Sequence, residues 1–584
     1  MDRGAIKVGL MALVATLLML GGASSAIAAT PAPFGHACTL EQGVRFCPTT
    51  DLASRPHSFD GTPLDVDVTL PATGSGPFPT ILLLHGLGGD KTSFELPGGA
   101  SGTVDGSHYS NVFFAKQGYA VVTPTARGFG NSCGNALSRT ADCAAGWTRL
   151  GDMRYEVRDV QTLVGQLVDE KIVQPNAIGS TGISYGGGFS MMLAFLKNRI
   201  RLPNGGYAPW RSPDGTPISL TAAWPRWLWS NGESIFIRSG RGTWSRSPVG
   251  VEAQEYANVI FAVAEGGFVA PLGGPLSADI TLWKSQLDAG TVNPATQTTL
   301  NETYAFHGVA GVSGRPSPLL LQSGWTDALF PVGQSLAAYD HIRSQAPTAP
   351  VAMQLGDLGH APGANHVGDV RAFDAQGLRF LNAWLKHTGT KPRLGQVTAY
   401  TTTCPVTAAH GGGPYAASSF TGLAPGTLGF GTTKTLRINS RGASAKLAAS
   451  ISPVAPTGTH CALHSPDPSS RAVFSTVSPG RTLIGMTMIT GKVRTSGRYG
   501  QLDARLWDLN PKTHQERLVD RGAYRLTDNQ RGSFRFVLDG GGWRFVKGHR
   551  IVIELLGRDA PTYAPSPTTF SATVTKLSAS LPVR

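Results

Sequence analysis

A doubly wound α/β sheet followed by a C-terminal all-β sandwich is the architecture this sequence predicts. Three observations predict it. Short, continuously apolar runs such as Thr80–Leu84 and Tyr119–Thr123 alternate with stretches of helical periodicity, the pattern of buried parallel strands joined by helices. A glycine-framed serine, Gly182-Ile-Ser-Tyr-Gly186, sits where one such run opens into an apolar helix. Beyond about residue 394 the texture changes to short alternating runs separated by turn residues, the signature of a sandwich. With 584 residues, 41% hydrophobic and 15% charged, the chain is too long for one core and too apolar for a disordered protein.

Arg3 and Lys7 precede an apolar run from Val8 to Leu20, and Ala26-Ile-Ala28 follows it. This is the three-part pattern of a signal peptide, expected over residues 1–28 with cleavage near Ala28 or Ala29. The run is short for a bilayer span, which takes about 20 apolar residues, and no comparable run follows. A secreted, extracellular protein without a membrane span is therefore expected. Six cysteines suit that compartment, and their spacing suggests local staples: Cys38 with Cys47, Cys133 with Cys143, and Cys404 with Cys461. The net charge of +13 favours adhesion to an anionic cell surface. No basic helix or aromatic-basic motif concentrates that charge, so no nucleic-acid partner is expected, and the absence of Cys-x-x-Cys pairs or histidine-rich clusters argues against a zinc site.

In chain order, Leu64–Leu70 alternates like an edge strand covered on one face, and Thr80–Leu84 and Tyr119–Thr123 read as buried strands. Asn111–Gln117 and Arg154–Ile172 read as helices, the second with a stripe of Val157, Val160, Leu163, Val164 and Leu167. Asn176–Ile183 is the strand before the serine, and Phe189–Leu196 lies in the helix after it. A strand at Ile218–Ala223 precedes a region rich in glycine, proline and tryptophan, about 224–314, which suits a cap inserted over the carboxyl edge of the sheet. Trp224, Trp227, Trp229 and, further on, Trp325 are candidates for an apolar substrate pocket, against the alternative that they pack the cap. Strands at Ser317–Gln322 and Val351–Leu355 and helices at Val332–Arg343 and Val370–Lys386 complete an α/β unit spanning 29–393. The remaining 394–584 carries sandwich strands, clearest at Leu483–Ile489, Leu502–Trp507, Phe534–Leu538, Ile551–Leu555 and Phe570–Lys576.

A serine hydroxyl is a weak nucleophile until a base takes its proton, and imidazole suits that task near neutral pH. Gly356-Asp-Leu-Gly-His360 places His360 on the loop beyond a strand's carboxyl end, where an open α/β sheet gathers its site; His366 is a weaker candidate. The acid that orients the imidazole is assigned to Asp327, in Gly324-Trp-Thr-Asp327 just past a buried strand, with Asp357 as its rival. The order Ser184, Asp327, His360 is that of the α/β-hydrolase fold, whose nucleophile elbow has the form G-x-S-x-G. The oxyanion that forms on attack is expected to meet the amide of Tyr185 and an amide of His85-Gly-Leu-Gly-Gly89, with that of Leu87 as the candidate.

Thr181-Gly-Ile-Ser-Tyr-Gly-Gly187, Ala126-Arg-Gly-Phe-Gly-Asn-Ser132, Gly324-Trp-Thr-Asp327 and Gly359-His360 together resemble the Xaa-Pro dipeptidyl-peptidase and cocaine-esterase family of serine hydrolases. The C-terminal part is similar to that family's jelly-roll domain through Leu502-Asp-Ala-Arg-Leu-Trp-Asp508, Gly522-Ala-Tyr-Arg-Leu526, Gly548-His-Arg-Ile-Val-Ile-Glu554 and Pro561-Thr-Tyr563. The resemblance implies a mainly helical cap, a jelly roll packed on the catalytic domain, no cofactor, and hydrolysis of esters or of amides after proline through an acyl-enzyme. The esterase branch often uses a tyrosine hydroxyl from an Asn-Pro-Tyr-type loop at the oxyanion. His85-Gly-Leu-Gly-Gly89 stands there instead, so two backbone amides are expected. A dipeptidyl-peptidase also needs an acid for the substrate's free amino terminus; Glu233, Glu252, Glu255 and Glu265 lie in the cap, and the choice among them stays open. A polysaccharide-binding role for the sandwich is the alternative from outside enzymology.

Overall fold

The computed structural model describes residues 1, 31–95, 110–240, 250–442, 444–455, 460–470 and 472–584. The expected signal peptide and its cleavage site lie outside the described residues.

Apolar runs too short for helices, rich in Val, Ile and Leu, form a sheet of eleven strands. Its centre is parallel, in the spatial order Ala120–Pro124, Phe78–Leu84, Val173–Ile183, Leu220–Arg226, Leu319–Gly324, Val351–Gly356 and Val397–Thr401. Alternate residues of one strand serve opposite faces. Leu82 and Leu84 pack with Val157, Leu163 and Leu167 of helix Glu156–Asp169 and with helices Tyr185–Leu196 and Val332–Gln345, whereas Ile81 and Leu83 pack with Phe114, Phe380 and Leu381 of helices Asn111–Lys116 and Val367–Leu385. Both faces are thereby covered, which is why the strands read as unbroken hydrophobic runs.

Leu64–Leu70 departs from the expectation of an edge strand. The strand Val66–Pro71 lies inside the sheet, between Ala120–Pro124 and Val44–Cys47, and nearly all of it is buried. A hairpin of Thr39–Glu41 with Val44–Cys47 forms the outer edge, and the Cys38–Cys47 disulfide closes it. Cys133–Cys143 and Cys404–Cys461 are the other two disulfides.

The chain between Arg226 and Leu319 includes helices Gly232–Phe236, Gln254–Glu265, Ile280–Asp288 and Pro294–Phe306. Beyond the α/β unit, two antiparallel sheets enclose a separate core that includes Leu483, Leu506, Phe536, Ile553 and Val574. One sheet is organised by the long strand Phe570–Val583, which pairs with Gly426–Thr432, Leu436–Asn439 and Met488–Gly497. The other holds Val473–Val477, Arg550–Leu556, Gln501–Asn510 and Gln515–Arg525. The run Leu483–Ile489, expected as one strand, is two: Thr482–Gly485 pairs with Gly541–Arg544, and Met488–Gly497 pairs with Arg531–Val537. Gly485, at φ 138°, makes the break in a conformation that a residue with a Cβ rarely adopts.

The sandwich meets the α/β unit along a continuous seam. Thr402 N–H donates to the Gly542 carbonyl at 2.8 Å, Ala564 N–H to the Glu252 carbonyl at 2.9 Å, and the Arg525 guanidinium to the Gly250 carbonyl at 3.1 Å.

Candidate active site

The strand Val173–Ile183 ends in a turn that leaves Ser184 at φ 56° and ψ −116°. Such a backbone is strained for a residue with a Cβ, and here the surrounding chain dictates it. A Cβ on Gly182 would lie 2.4 Å from the Leu84 carbonyl oxygen, and one on Gly186 would lie 2.1 Å from the same atom. The flanking glycines are therefore what let the elbow pass beside the neighbouring strand. Ser184 N–H is anchored on the Arg226 carbonyl at 3.1 Å, and the helix Tyr185–Leu196 starts immediately after.

Three loops deliver the other groups. His360 Nε2 lies 2.8 Å from Ser184 Oγ, and His360 Nδ1 lies 2.9 Å from Asp327 Oδ2 and 3.1 Å from Oδ1. With Nδ1–H donated to the carboxylate, the Nε2 lone pair faces the serine hydroxyl, the tautomer a general base requires. Asp327 is itself fixed: Oδ1 accepts from the amides of Leu329 at 3.0 Å and Phe330 at 2.9 Å, and Oδ2 accepts from the His360 amide at 3.2 Å. Its side chain is fully buried, while that of His360 is 19% exposed. Gly359, at φ 105°, permits the approach, because a Cβ there would sit 2.2 Å from Asp327 Oδ2.

The loop His85–Gly89 passes beside the nucleophile, a Cβ on Gly86 falling 3.8 Å from that of Ser184. The His85 ring holds this loop to the chain just past the strand Ala120–Pro124. Nδ1–H donates to the Gly86 carbonyl at 2.7 Å, and Nε2 accepts from the Ala126 amide at 2.9 Å. That pattern needs a neutral ring, and burial lowers the His85 pKa in agreement. The helix that begins at Tyr185 and the loop that carries Leu87 both adjoin Ser184.

Of the tryptophans, Trp227 reaches the site: half-buried, its ring meets the His360 ring edge-on at 5.4 Å. Phe330, which sequence reasoning missed, meets the same ring at 5.1 Å. Trp224 does not line a pocket. It is wholly buried in the strand Leu220–Arg226, packs over Gly377 and donates from Nε1 to Gln354 Oε1 at 3.0 Å. Trp325 is buried at the seam, with Nε1–H on the Tyr400 carbonyl at 2.8 Å and its ring against Gly542, and it lines a small cavity beside Asp327 and His460. Trp229 packs on Tyr185 and Gly188 beneath the elbow.

The rival acid and base pair with each other instead of with Ser184. Asp357 Oδ2 lies 3.4 Å from His366 Nε2 and 3.0 Å from His460 Nε2, and His366 Nδ1 meets the Ala408 carbonyl at 2.5 Å. No pattern in the sequence pointed to His460 or to Tyr256, whose hydroxyl donates to the Ala361 carbonyl. Asp152, Glu302 and His307 approach one another as metal ligands can, but Arg154 bonds both carboxylates.

The cap acids separate by surroundings. Glu255 ties the cap to the sandwich, accepting from Ser452 Oγ at 2.5 Å and Thr562 Oγ1 at 3.1 Å. Glu265 is exposed, and Glu233 is buried in the first turn of its helix. Glu252 is buried with neither oxygen hydrogen-bonded among the described residues, and burial raises its pKa from 4.5 to about 7. A carboxyl that binds its proton more tightly when folded stabilises the protein at acidic pH and loses that contribution as pH rises to about 7. Ionising it in place costs about 3 kcal/mol. Glu252→Gln is therefore expected to raise the melting temperature clearly at pH 8.5 and little at pH 5, and equal shifts at both pH values would contradict this account.

Residues 60–199, from the first buried strands through the elbow helix, match the sequence model of the X-Pro dipeptidyl-peptidase (S15) family. The chain is a serine hydrolase resembling the S15/CocE family. No curated protein sequence matches it. Among solved structures, the hydrolase is similar to a CocE/NonD family hydrolase from Staphylococcus aureus, with 13% identity over 93% of this chain and 94% of that one and a TM-score of 0.56. An aminopeptidase from a marine sediment archaeon of the Thaumarchaeota shares 13% identity over 90% and 95% of the two chains, at a TM-score of 0.55. An α-amino acid ester hydrolase shares 16% identity over 93% and 97%, at 0.54. These likenesses extend through both the α/β unit and the sandwich of the hydrolase.

Proposed function

We propose that the protein is a secreted acyl-hydrolase that cleaves ester or amide bonds through Ser184, His360 and Asp327. The observation that carries the reading is the unbroken chain of contacts from Asp327 through His360 to Ser184 Oγ, at 2.9 and 2.8 Å. Ser184 Oγ attacks the substrate carbonyl as His360 Nε2 takes its proton, and Asp327 stabilises the imidazolium. The amides of Tyr185 and Leu87 receive the oxyanion, His360 returns the proton to the leaving group, and water hydrolyses the acyl-enzyme by the same route. Trp227 and Phe330 give the base an apolar flank, which keeps water from competing for its lone pair. Three disulfides support an oxidising compartment and so the expected export, and the net charge of +13 supports an association with anionic surfaces there.

Release of N-terminal dipeptides after proline is the second reading, favoured by the S15 match over 60–199. The test pairs a fluorophosphonate with two substrates. Ser184 is expected to be labelled, and a short-chain aryl ester to be cleaved whether or not its acyl group carries a free amine. A dipeptidyl-peptidase would instead prefer an Ala-Pro anilide and lose activity when that amine is blocked. Absence of Ser184 labelling together with saturable polysaccharide binding by the protein would reverse the assignment in favour of a binding protein.

A further inference from the structure

We propose that His460, supplied by the sandwich side of the seam, is a positioning residue that holds the His360 loop in its reactive place. This rests on the acyl-hydrolase reading above. Residues 357–366 carry His360 and are braced from three directions. Internally, Asn365 accepts from the Gly359 amide and donates to the Gly359 carbonyl, each at 2.9 Å. From the cap, Tyr256 bonds the Ala361 carbonyl. From the sandwich side, His460 Nδ1 lies 3.2 Å from the Pro362 carbonyl and Nε2 lies 3.0 Å from Asp357 Oδ2.

Asp357 makes this contact consequential, because the same carboxylate joins every segment that must stay in register. Its Oδ1 accepts from Thr326 Oγ1 at 2.5 Å, the residue before Asp327, and from the Ala364 amide at 3.1 Å. Burial alone would raise the Asp357 pKa; the His366 and His460 rings and the Thr326 hydroxyl overcome it and hold the carboxyl well below its ordinary range, ionised between the two imidazoles. Apolar packing does not take the place of this clamp. A cavity of about 80 Å³, lined among others by Thr326, Asp327, Pro362 and His460, separates the two loops from the sandwich wall of Leu518 and Arg521. His460 bridges that gap, and the disulfide of its neighbour Cys461 to Cys404 fixes it to the chain just past the strand Val397–Thr401.

The general base needs its Nε2 within hydrogen-bond reach of Ser184 Oγ, and small displacements of a reacting group are costly in rate. A loop loosened at Asp357 and Pro362 lets that distance fluctuate, while Trp227 and Phe330, which flank the base, are held on other segments of the chain. His460→Ala is thus expected to lower kcat for p-nitrophenyl acetate, and the rate of Ser184 labelling by a fluorophosphonate, by about 10- to 100-fold with KM within about 3-fold. Free imidazole, small enough to occupy the vacated space, is expected to restore part of the loss. His460→Gln keeps one donor toward Asp357 and is expected to fall between the two, which serves if the alanine variant does not fold. Labelling of folded His460→Ala or His460→Gln at the wild-type rate would overturn the proposal alone. A wild-type protein that does not label at Ser184 would overturn both it and the acyl-hydrolase reading.

Discussion

Ser184→Ala is expected to lower kcat for an activated ester by about a million-fold, with the melting temperature almost unchanged. The two halves of this expectation have separate physical sources. Catalytically, the hydroxyl is the sole atom that forms a bond to substrate in the proposed route, and His360 Nε2 at 2.8 Å has no other proton to take from the protein at that position. What remains is the rate that oxyanion donors and substrate positioning supply to attack by water, a residue of about a thousand-fold over solution. Structurally, φ 56° at position 184 is dictated by Gly182, Gly186 and the Arg226 carbonyl, none of which the substitution touches, and alanine retains the Cβ already present. Steady-state kinetics, with labelling to exclude wild-type contamination, reads the first half and a melting curve the second. A variant that keeps more than a hundredth of the wild-type rate would show that the nucleophile lies elsewhere.

Asp327→Asn is expected to lower kcat by about ten-thousand-fold while preserving the fold. The carboxylate receives four N–H groups: the amides of Leu329, Phe330 and His360, and the His360 ring at Nδ1. A carboxamide has one accepting oxygen. If that oxygen keeps the Leu329 and Phe330 amides, its NH₂ faces His360, and the ring answers by accepting at Nδ1 and carrying its proton on Nε2. An imidazole protonated at Nε2 cannot take a proton from Ser184, so the defect is one of tautomer and not of position. The measurements are kcat, the fluorophosphonate labelling rate, and the ¹H NMR resonance of the histidine ring. Loss of less than tenfold would mean that another acid, with Asp357 the neighbour to examine, orients the base.

Much of this site is legible in the residues because its demands are local. An elbow that places a serine at positive φ beside another strand needs glycine on both sides, so Gly182 and Gly186 announce it whatever the rest of the chain does. Strand ends are equally visible: Asp327 and His360 each follow a short, mainly apolar run, and a parallel sheet brings such ends to one edge. Illegible were features that depend on a partner from far along the chain. Val66–Pro71 alternates like an edge strand, yet a hairpin of three- and four-residue strands, too short to show a period, covers its outer side. Trp224 and Trp227 are three residues apart at one sheet edge, and one enters the core under Gly377 while the other stands beside His360. Asp357 and His366 were the rival acid and the weaker candidate base, and nothing local shows that they meet each other and a third ring, His460, from the sandwich side.

By itself, then, the sequence determined the kind of the longer elements of the α/β unit, the strained turn at Ser184 and the order in which nucleophile, acid and base arrive, because propensity, periodicity and glycine placement act over a few residues. The tertiary structure decided which of two acids meets which of three histidines, which tryptophan faces the site, and how the sandwich braces the catalytic loop. Those outcomes turn on ångström-scale distances between groups brought together by the packing of two separate cores, and a one-dimensional pattern specifies that a face is apolar without specifying what covers it.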